Sequence, residues 1–220
     1  MARLQRFAER SLPRRAGSLS RAPAPQSDFV TATCTPGRAG YNARVLITIS
    51  GLPGSGKTTV ARLVAQALGL EHVYAGDVFR RQAEAAGLTL AEYARRAESD
   101  HSIDRRLDDI MRARARRGNV VLEGRLAAFV AEQAEATALR IFLDAPEAVR
   151  AARIAEREGG DAAERLAQIQ AREASDARRY REIYGVDYHD QRRYDLVIST
   201  DGRSPEEVAA EIVEHARRRR

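Results

Sequence analysis

Gly51-Leu52-Pro53-Gly54-Ser55-Gly56-Lys57-Thr58-Thr59 fits the pattern G-x-x-x-x-G-K-S/T without a mismatch, and its flanks decide the fold. Before it, Val45-Leu46-Ile47-Thr48-Ile49 has the composition of a buried strand. After it, Val60, Leu63, Val64, Ala67 and Leu68 recur at helical spacing. Strand, glycine loop and helix in that order form a phosphate-binding loop. The glycines let the backbone wrap an anion, successive N–H groups point inward, and the helix turns its positive end to the same place. Lys57 then reaches the β- and γ-phosphates, and the Thr58 hydroxyl ligates Mg²⁺. Lys57 is the only lysine among 37 lysine-plus-arginine residues, which points to a position where a compact ammonium works and a forked guanidinium does not. The competing reading is a glycine turn with an incidental lysine.

A chain of 220 residues, 44% hydrophobic and 31% charged, suits one domain with a sizeable core. No apolar run is long enough to span a membrane. One cysteine, Cys34, allows neither an intrachain disulfide nor a multi-cysteine zinc site, and a reducing cytoplasm is the expected compartment. The net charge of +6 and a pI near 10 invite a nucleic-acid role. However, eight arginines against Glu9 and Asp28 fall in the first 44 residues, and Arg217-Arg218-Arg219-Arg220 closes the chain. Between these ends acids and bases are balanced and aromatics are few, so no base-stacking platform is visible and no specific nucleic acid is expected.

Residues 1–43 mix Arg, Ser, Ala and Pro without periodicity and are expected to form a disordered basic extension. A targeting segment and a nucleic-acid arm are the alternatives. From Arg44 strands and helices alternate. Strands are predicted at 45–50, 72–74, 119–123, 139–143 and 195–199. Helices are predicted at 57–68, 78–86, 89–98, 102–117, 146–158, 162–184 and 205–217. Gly118-Asn119 ends one helix, and Ser204-Pro205-Glu206-Glu207 is a cap and first turn. Strands separated by helices imply right-handed crossovers and a parallel sheet covered on both faces, a three-layer α/β domain.

Beyond the loop, Val120-Val121-Leu122-Glu123-Gly124-Arg125 is a strand ending in an acid and a base. Glu123 is the first candidate to hold Mg²⁺, directly or through water, with Asp144 as the competitor. Asp77 precedes a helical run, where an N-cap is expected, and Arg80 would project toward the cleft at the strand ends. Arg150, Arg153 and Arg157 lie at i, i+3 and i+7 and form the arginine face of a lid hinged at Gly159-Gly160. The alternative is a solvated face paired with Glu156 and Glu158. Arg172, Asp176 and Arg179 share another helix face, which in isolation reads as surface ion pairs of little value.

These segments resemble the nucleoside monophosphate kinases, and within them the archaeal-type cytidylate kinases, over some four-fifths of the chain. The likeness is carried by the glycine loop, Gly69-Leu70-Glu71-His72-Val73-Tyr74-Ala75-Gly76-Asp77-Val78-Phe79-Arg80, Ile103-Asp104-Arg105 and Val120 to Leu126. Arg153 to Gly159 and Arg179-Tyr180-Arg181-Glu182-Ile183-Tyr184-Gly185 continue it. The resemblance implies a five-stranded sheet in order 2-3-1-4-5, substrate-binding helices at about 77–117 and a short lid at about 153–165 within a domain spanning 44–220. It implies phosphoryl transfer from ATP, with Mg²⁺, to CMP or dCMP. The protein itself is expected to act as a monomer. Gly51 to Thr59 would bind ATP. Lys57, Arg153, Arg157 and Arg179 would be the catalytic cations. Arg80 and Arg125 would grip the acceptor phosphate, beside Arg172, Asp176 and Arg179. That last trio resembles the Arg-Asp-x-Arg-Asp-x-x-Arg signature of bacterial cytidylate kinases. Here Glu173 replaces its first Asp, Ser175 its middle Arg, and Leu126 the acid that follows Gly-Arg.

The alternatives are a kinase for UMP, AMP or a small metabolite, and a non-kinase P-loop protein, either a regulatory GTPase or a nucleic-acid-linked ATPase. The guanine-reading N-K-x-D motif is impossible, because the only lysine is already in the loop.

Overall fold

The apolar run before the glycine loop becomes the centre of a sheet. The computed structural model describes residues 45–219, so the expected extension at 1–43 and Cys34 lie outside the described residues. Strands β1 (Leu46–Gly51), β2 (Glu71–Tyr74), β3 (Val120–Glu123), β4 (Leu139–Asp144) and β5 (Leu196–Ser199) pair in parallel in the order 2-3-1-4-5. Helix α1 (Lys57–Leu68) follows β1, and α2 (Ala75–Ala85), α3 (Leu90–Ala97) and α4 (Ser102–Arg117) follow β2. Helix α5 (Ala127–Gln133) follows β3, α6 (Glu147–Glu158) and α7 (Ala162–Tyr184) follow β4, and α8 (Pro205–Arg218) follows β5.

Strand alternation divides the core between two faces of the sheet. Ile47 and Ile49 cluster with Val60 and Val64 of α1 and Val208 and Ile212 of α8. Leu46 and Leu122 cluster instead with Met111 of α4, Val130 of α5, and Tyr180 and Tyr188. Two smaller clusters stand apart from these. Ala83, Tyr93, Ala97 and Ile103 form one among α2, α3 and the start of α4, within the span expected to bind substrate. Ala151, Ile154 and Ile169 form the other between α6 and α7, on either side of Gly159-Gly160.

Local chemistry sets the ends of the helices. Ser204 and Glu207 form a reciprocal capping box on α8 (2.8 and 3.2 Å). Asp77 is not the N-cap expected of it. Strand β2 runs straight into α2, whose N-cap is Tyr74, and Asp77 falls in the first turn, where its charge suits the helix dipole. Helix α5 was not foreseen. Its sequence, Ala127-Ala128-Phe129-Val130-Ala131-Glu132-Gln133, is short and apolar nearly all round, so it carries little periodicity to read.

Between α4 and α7, Asp108 is buried and accepts a hydrogen bond from the Tyr184 hydroxyl. Burial, only partly offset by that bond, raises its carboxyl from 3.8 to about 6. Between those two values the folded chain keeps a proton that the unfolded chain has released, so stability falls as pH rises through this window. At pH 7 the burden is on the order of 3 kcal/mol at most. Asp108→Asn is therefore expected to be more stable than the parent at pH 7, by about 1–3 kcal/mol in urea unfolding, with the gap closing toward pH 4. A gap that stays the same across this range would contradict the assignment.

Candidate active site

The loop needs its glycines for space as well as for conformation. Gly54 has φ +80°, and a Cβ there would lie 2.6 Å from the Arg150 carbonyl oxygen. At Gly51 (φ +147°) it would lie 2.3 Å from that of Leu143. Gly56 precedes α1 in a left-handed conformation and no side chain caps the helix, leaving its first N–H groups available to an anion. Lys57 Nζ donates to the Leu52 carbonyl at 2.6 Å. Its ammonium is pushed down from 10.5 to about 7, first by burial, which disfavours the charged form, and then by Arg125, with Arg172 and Arg150 adding to the effect and Glu123 opposing it. Cations from α1, the end of β3, α6 and α7 thus converge on one place.

The register of the sheet sets Glu123 opposite Ile49, at the mouth of the loop. Glu123 is 0% exposed. Its Oε1 accepts the Thr58 hydroxyl at 2.6 Å, and its Oε2 lies 2.9 Å from His72 Nε2. Asp144, at the end of β4, accepts from the Ala145 N–H at 2.9 Å. A hydroxyl bonded to a buried carboxylate suits Mg²⁺, which prefers a few protein oxygens completed by phosphate and water. Among the described residues no group of three or more His, Cys, Asp and Glu forms a metal cage by itself.

The α7 face is not a solvated surface. Asp176 is 4% exposed; Arg125 Nη1 lies 2.6 Å from one of its oxygens, and Arg179 Nη2 donates to the other at 3.0 Å. Arg179 Nε also donates to Asp104 at 3.0 Å, and Asp104 is itself buried. Arg172 remains exposed, and the neighbouring charge of Arg125 is the largest influence lowering its guanidinium pKa. Arg125 borders a small recess lined by Ala75, Asp104, Asp108, Leu126 and Tyr180 among others. Its Nε is buried and has no hydrogen-bond partner among the described residues. Arg80 is half-exposed, pairs with Asp77 at 2.5 Å and lies 5.2 Å over the Tyr74 ring.

The three arginines of α6 do not form one face toward a lid. Arg150, 1% exposed, points inward. It donates to the Pro53 carbonyl of the loop at 3.0 Å, to Ala145 O at 3.1 Å and to Glu173 of α7. Arg153 donates to the Thr200 hydroxyl and carbonyl at 2.8 and 2.7 Å, and Thr200 in turn donates to Ser55 O at 3.2 Å. Only Arg157 is free of the body, exposed and paired with Glu158. A spacing of i, i+3, i+7 fixes direction around the helix but not what stands opposite each turn, and here the turns meet different neighbours. Sequence reasoning gave no role to His72, Asp104, Asp108, Arg150 as a buried tie, or Thr200. Asp104 and His72 lie inside segments that carried the resemblance, and that was the available signal.

The cytidylate kinase-like family model matches residues 46–202. Cytidylate kinase of Methanopyrus kandleri is 48% identical over 76% of this chain and 91% of that protein. That of Pyrococcus horikoshii is 45% identical over 76% and 85%, and that of Halobacterium salinarum 48% over 74% and 85%. Among solved structures, an uncharacterized protein from Eubacterium ventriosum superposes with a TM-score of 0.61 at 18% identity, covering 79% of this chain and 98% of its own. Shikimate kinase of Acinetobacter baumannii gives 0.51 at 17% identity over 80% and 94%. These likenesses establish the P-loop kinase fold and no more. With the family match spanning all five strands and the glycine loop, the chain belongs to the cytidylate kinase-like family.

Proposed function

We propose that the chain transfers the γ-phosphoryl group of ATP to CMP or dCMP. The observation that carries this reading is the convergence of Lys57, Arg125, Arg150 and Arg172 from four different elements, near enough that the three arginines add to the depression of the Lys57 ammonium that burial begins. Two polyanions must meet for this reaction, and a site built to receive them concentrates positive charge where they approach. An oxygen of the acceptor phosphate attacks the γ-phosphorus in line as the bond to the bridging oxygen breaks and ADP departs. That oxygen is already anionic, so no protein base is needed, and the work is positioning and charge stabilisation.

In this reading Gly51 to Thr59 cradle the ATP phosphates and Lys57 reaches across them. Thr58 and Glu123 hold the Mg²⁺ site, where the ion when bound would neutralise charge on the β- and γ-oxygens. Arg80 and Arg125 hold the acceptor phosphate, with Arg172, Asp176 and Arg179 beside it. Arg153 and Arg157 belong to the lid over the ATP phosphates, with Arg153 resting on Thr200 until the nucleotide arrives. The domain is 44–220, with substrate helices at 77–117 and the lid at 153–165. The separate small core of the substrate helices supports that division, and the family match begins only at residue 46. The enzyme would act as a cytoplasmic monomer without nucleic acid. Among the described residues no helix is long and apolar enough to cross a membrane.

Burial of Asp176 changes what its substitution tests. Asp176→Asn strands two arginines and is expected to lower stability together with CMP use, whereas Arg172 is exposed and gives the cleaner variant. Arg172→Ala is expected to keep its stability within about 0.5 kcal/mol and to lower kcat/KM for CMP about 10²-fold. Arg179→Ala should do at least as much. Titrations of ATP without acceptor should change far less for both variants. Wild-type CMP kinetics in both would remove the α7 face from the site.

A further inference from the structure

His72 takes no part in the mechanism above, yet it makes one of the two contacts that fix the buried acid of the site. Glu123 is 0% exposed, and each of its oxygens has a partner: Thr58 Oγ1 on Oε1 at 2.6 Å and His72 Nε2 on Oε2 at 2.9 Å. His72 reaches it from β2, the edge strand beside β3, where it is registered against Val121, two residues before Glu123. Its side chain is 20% exposed, so the imidazole is mostly enclosed and its rotation restricted. An ionised carboxylate only accepts hydrogen bonds, so Nε2 carries the proton of this contact.

We propose that His72 is a positioning residue for the metal half of the site, acting through Glu123. This rests on the reading of Thr58 and Glu123 as the Mg²⁺ side. With Oε2 pinned by the imidazole, the carboxylate plane is fixed and Oε1 is presented to Thr58. The Thr58 hydroxyl spends its single hydrogen on Oε1, which leaves only oxygen lone pairs to face the phosphate loop, the state a hard cation requires. Without the imidazole donor, Oε2 is a buried charged oxygen lacking its partner. The carboxylate can then rotate toward other donors, including the Lys57 ammonium, whose pKa Glu123 already raises. The Thr58 hydroxyl would lose its fixed orientation, and metal-assisted nucleotide binding would weaken while the glycine loop kept its own grip on phosphate.

The test is calorimetric titration of ATP into the full chain, once with Mg²⁺ and once with EDTA, for the parent, His72→Phe and His72→Gln. Phenylalanine keeps the ring volume and removes the donor, whereas the glutamine amide can restore a donor near the position of Nε2. For His72→Phe the gain in ATP affinity on adding Mg²⁺ should shrink about 10-fold, the lower end of the range for groups that orient metal ligands. The affinity in EDTA should stay near that of the parent, and His72→Gln should recover most of the Mg²⁺ effect. His72→Asn, whose amide matches Nδ1 and falls short of Glu123, should behave as the Phe variant and replaces it if that variant does not fold. Parent-like Mg²⁺ dependence in a folded Phe or Asn variant would overturn the role of His72. So would equal losses with Mg²⁺ and EDTA, which mark a structural role only. A parent whose ATP affinity ignores Mg²⁺ would remove the metal reading itself, and the proposal with it.

Discussion

Like charges must be held together before any ligand arrives, and much of this structure follows from that constraint. Lys57, Arg125, Arg150 and Arg172 lie close enough for each arginine to lower the Lys57 ammonium. Unrelieved, like charges brought together in a site of low dielectric repel one another. The fold answers with buried acids. Glu173 pairs with Arg150, Asp176 with Arg125 and Arg179, Asp104 with Arg179, and Glu123 sits beside Thr58. Buried ion pairs of this kind add little net stability, but removing one partner is costly. They earn their place by specifying where each guanidinium sits.

The same pairs join pieces of chain that are far apart in sequence. Arg150 links the loop at Pro53 to α6 and, through Glu173, to α7. Thr200 links Ser55 and the Asp144 carbonyl, and Arg153 donates to it. The conformation of the glycine loop is thereby coupled to the helices on either side of Gly159-Gly160.

Legibility in the sequence followed how local each signal was. The glycine loop, every helix but α5 and the place of Glu123 at the end of β3 could be read because strand runs, helical spacing and a strand-end acid are short-range patterns. Helix α7 was read at its observed limits, with Asp161 capping its start and Gly185 in a left-handed conformation closing it. The start of α2 was missed because no loop separates it from β2, and α5 because its apolar residues surround it. Arg150 could not be assigned inward from spacing alone, since only the tertiary fold places Pro53 and Glu173 opposite it. The surface-pair reading of Asp176 failed for the same reason. Its partner Arg125 is 51 residues away in sequence and arrives through the end of β3.

The central claim is that this preassembled cationic site serves phosphoryl transfer to a cytidine monophosphate. The most direct test is a steady-state screen of Mg²⁺-ATP with CMP, dCMP, UMP, AMP and GMP as acceptors, each followed to its diphosphate product. The account predicts acceptor-dependent ADP formation with kcat/KM for CMP or dCMP at least ~10-fold above every other acceptor. Preference for UMP or a purine monophosphate, or ATP hydrolysis that no acceptor accelerates, would contradict it.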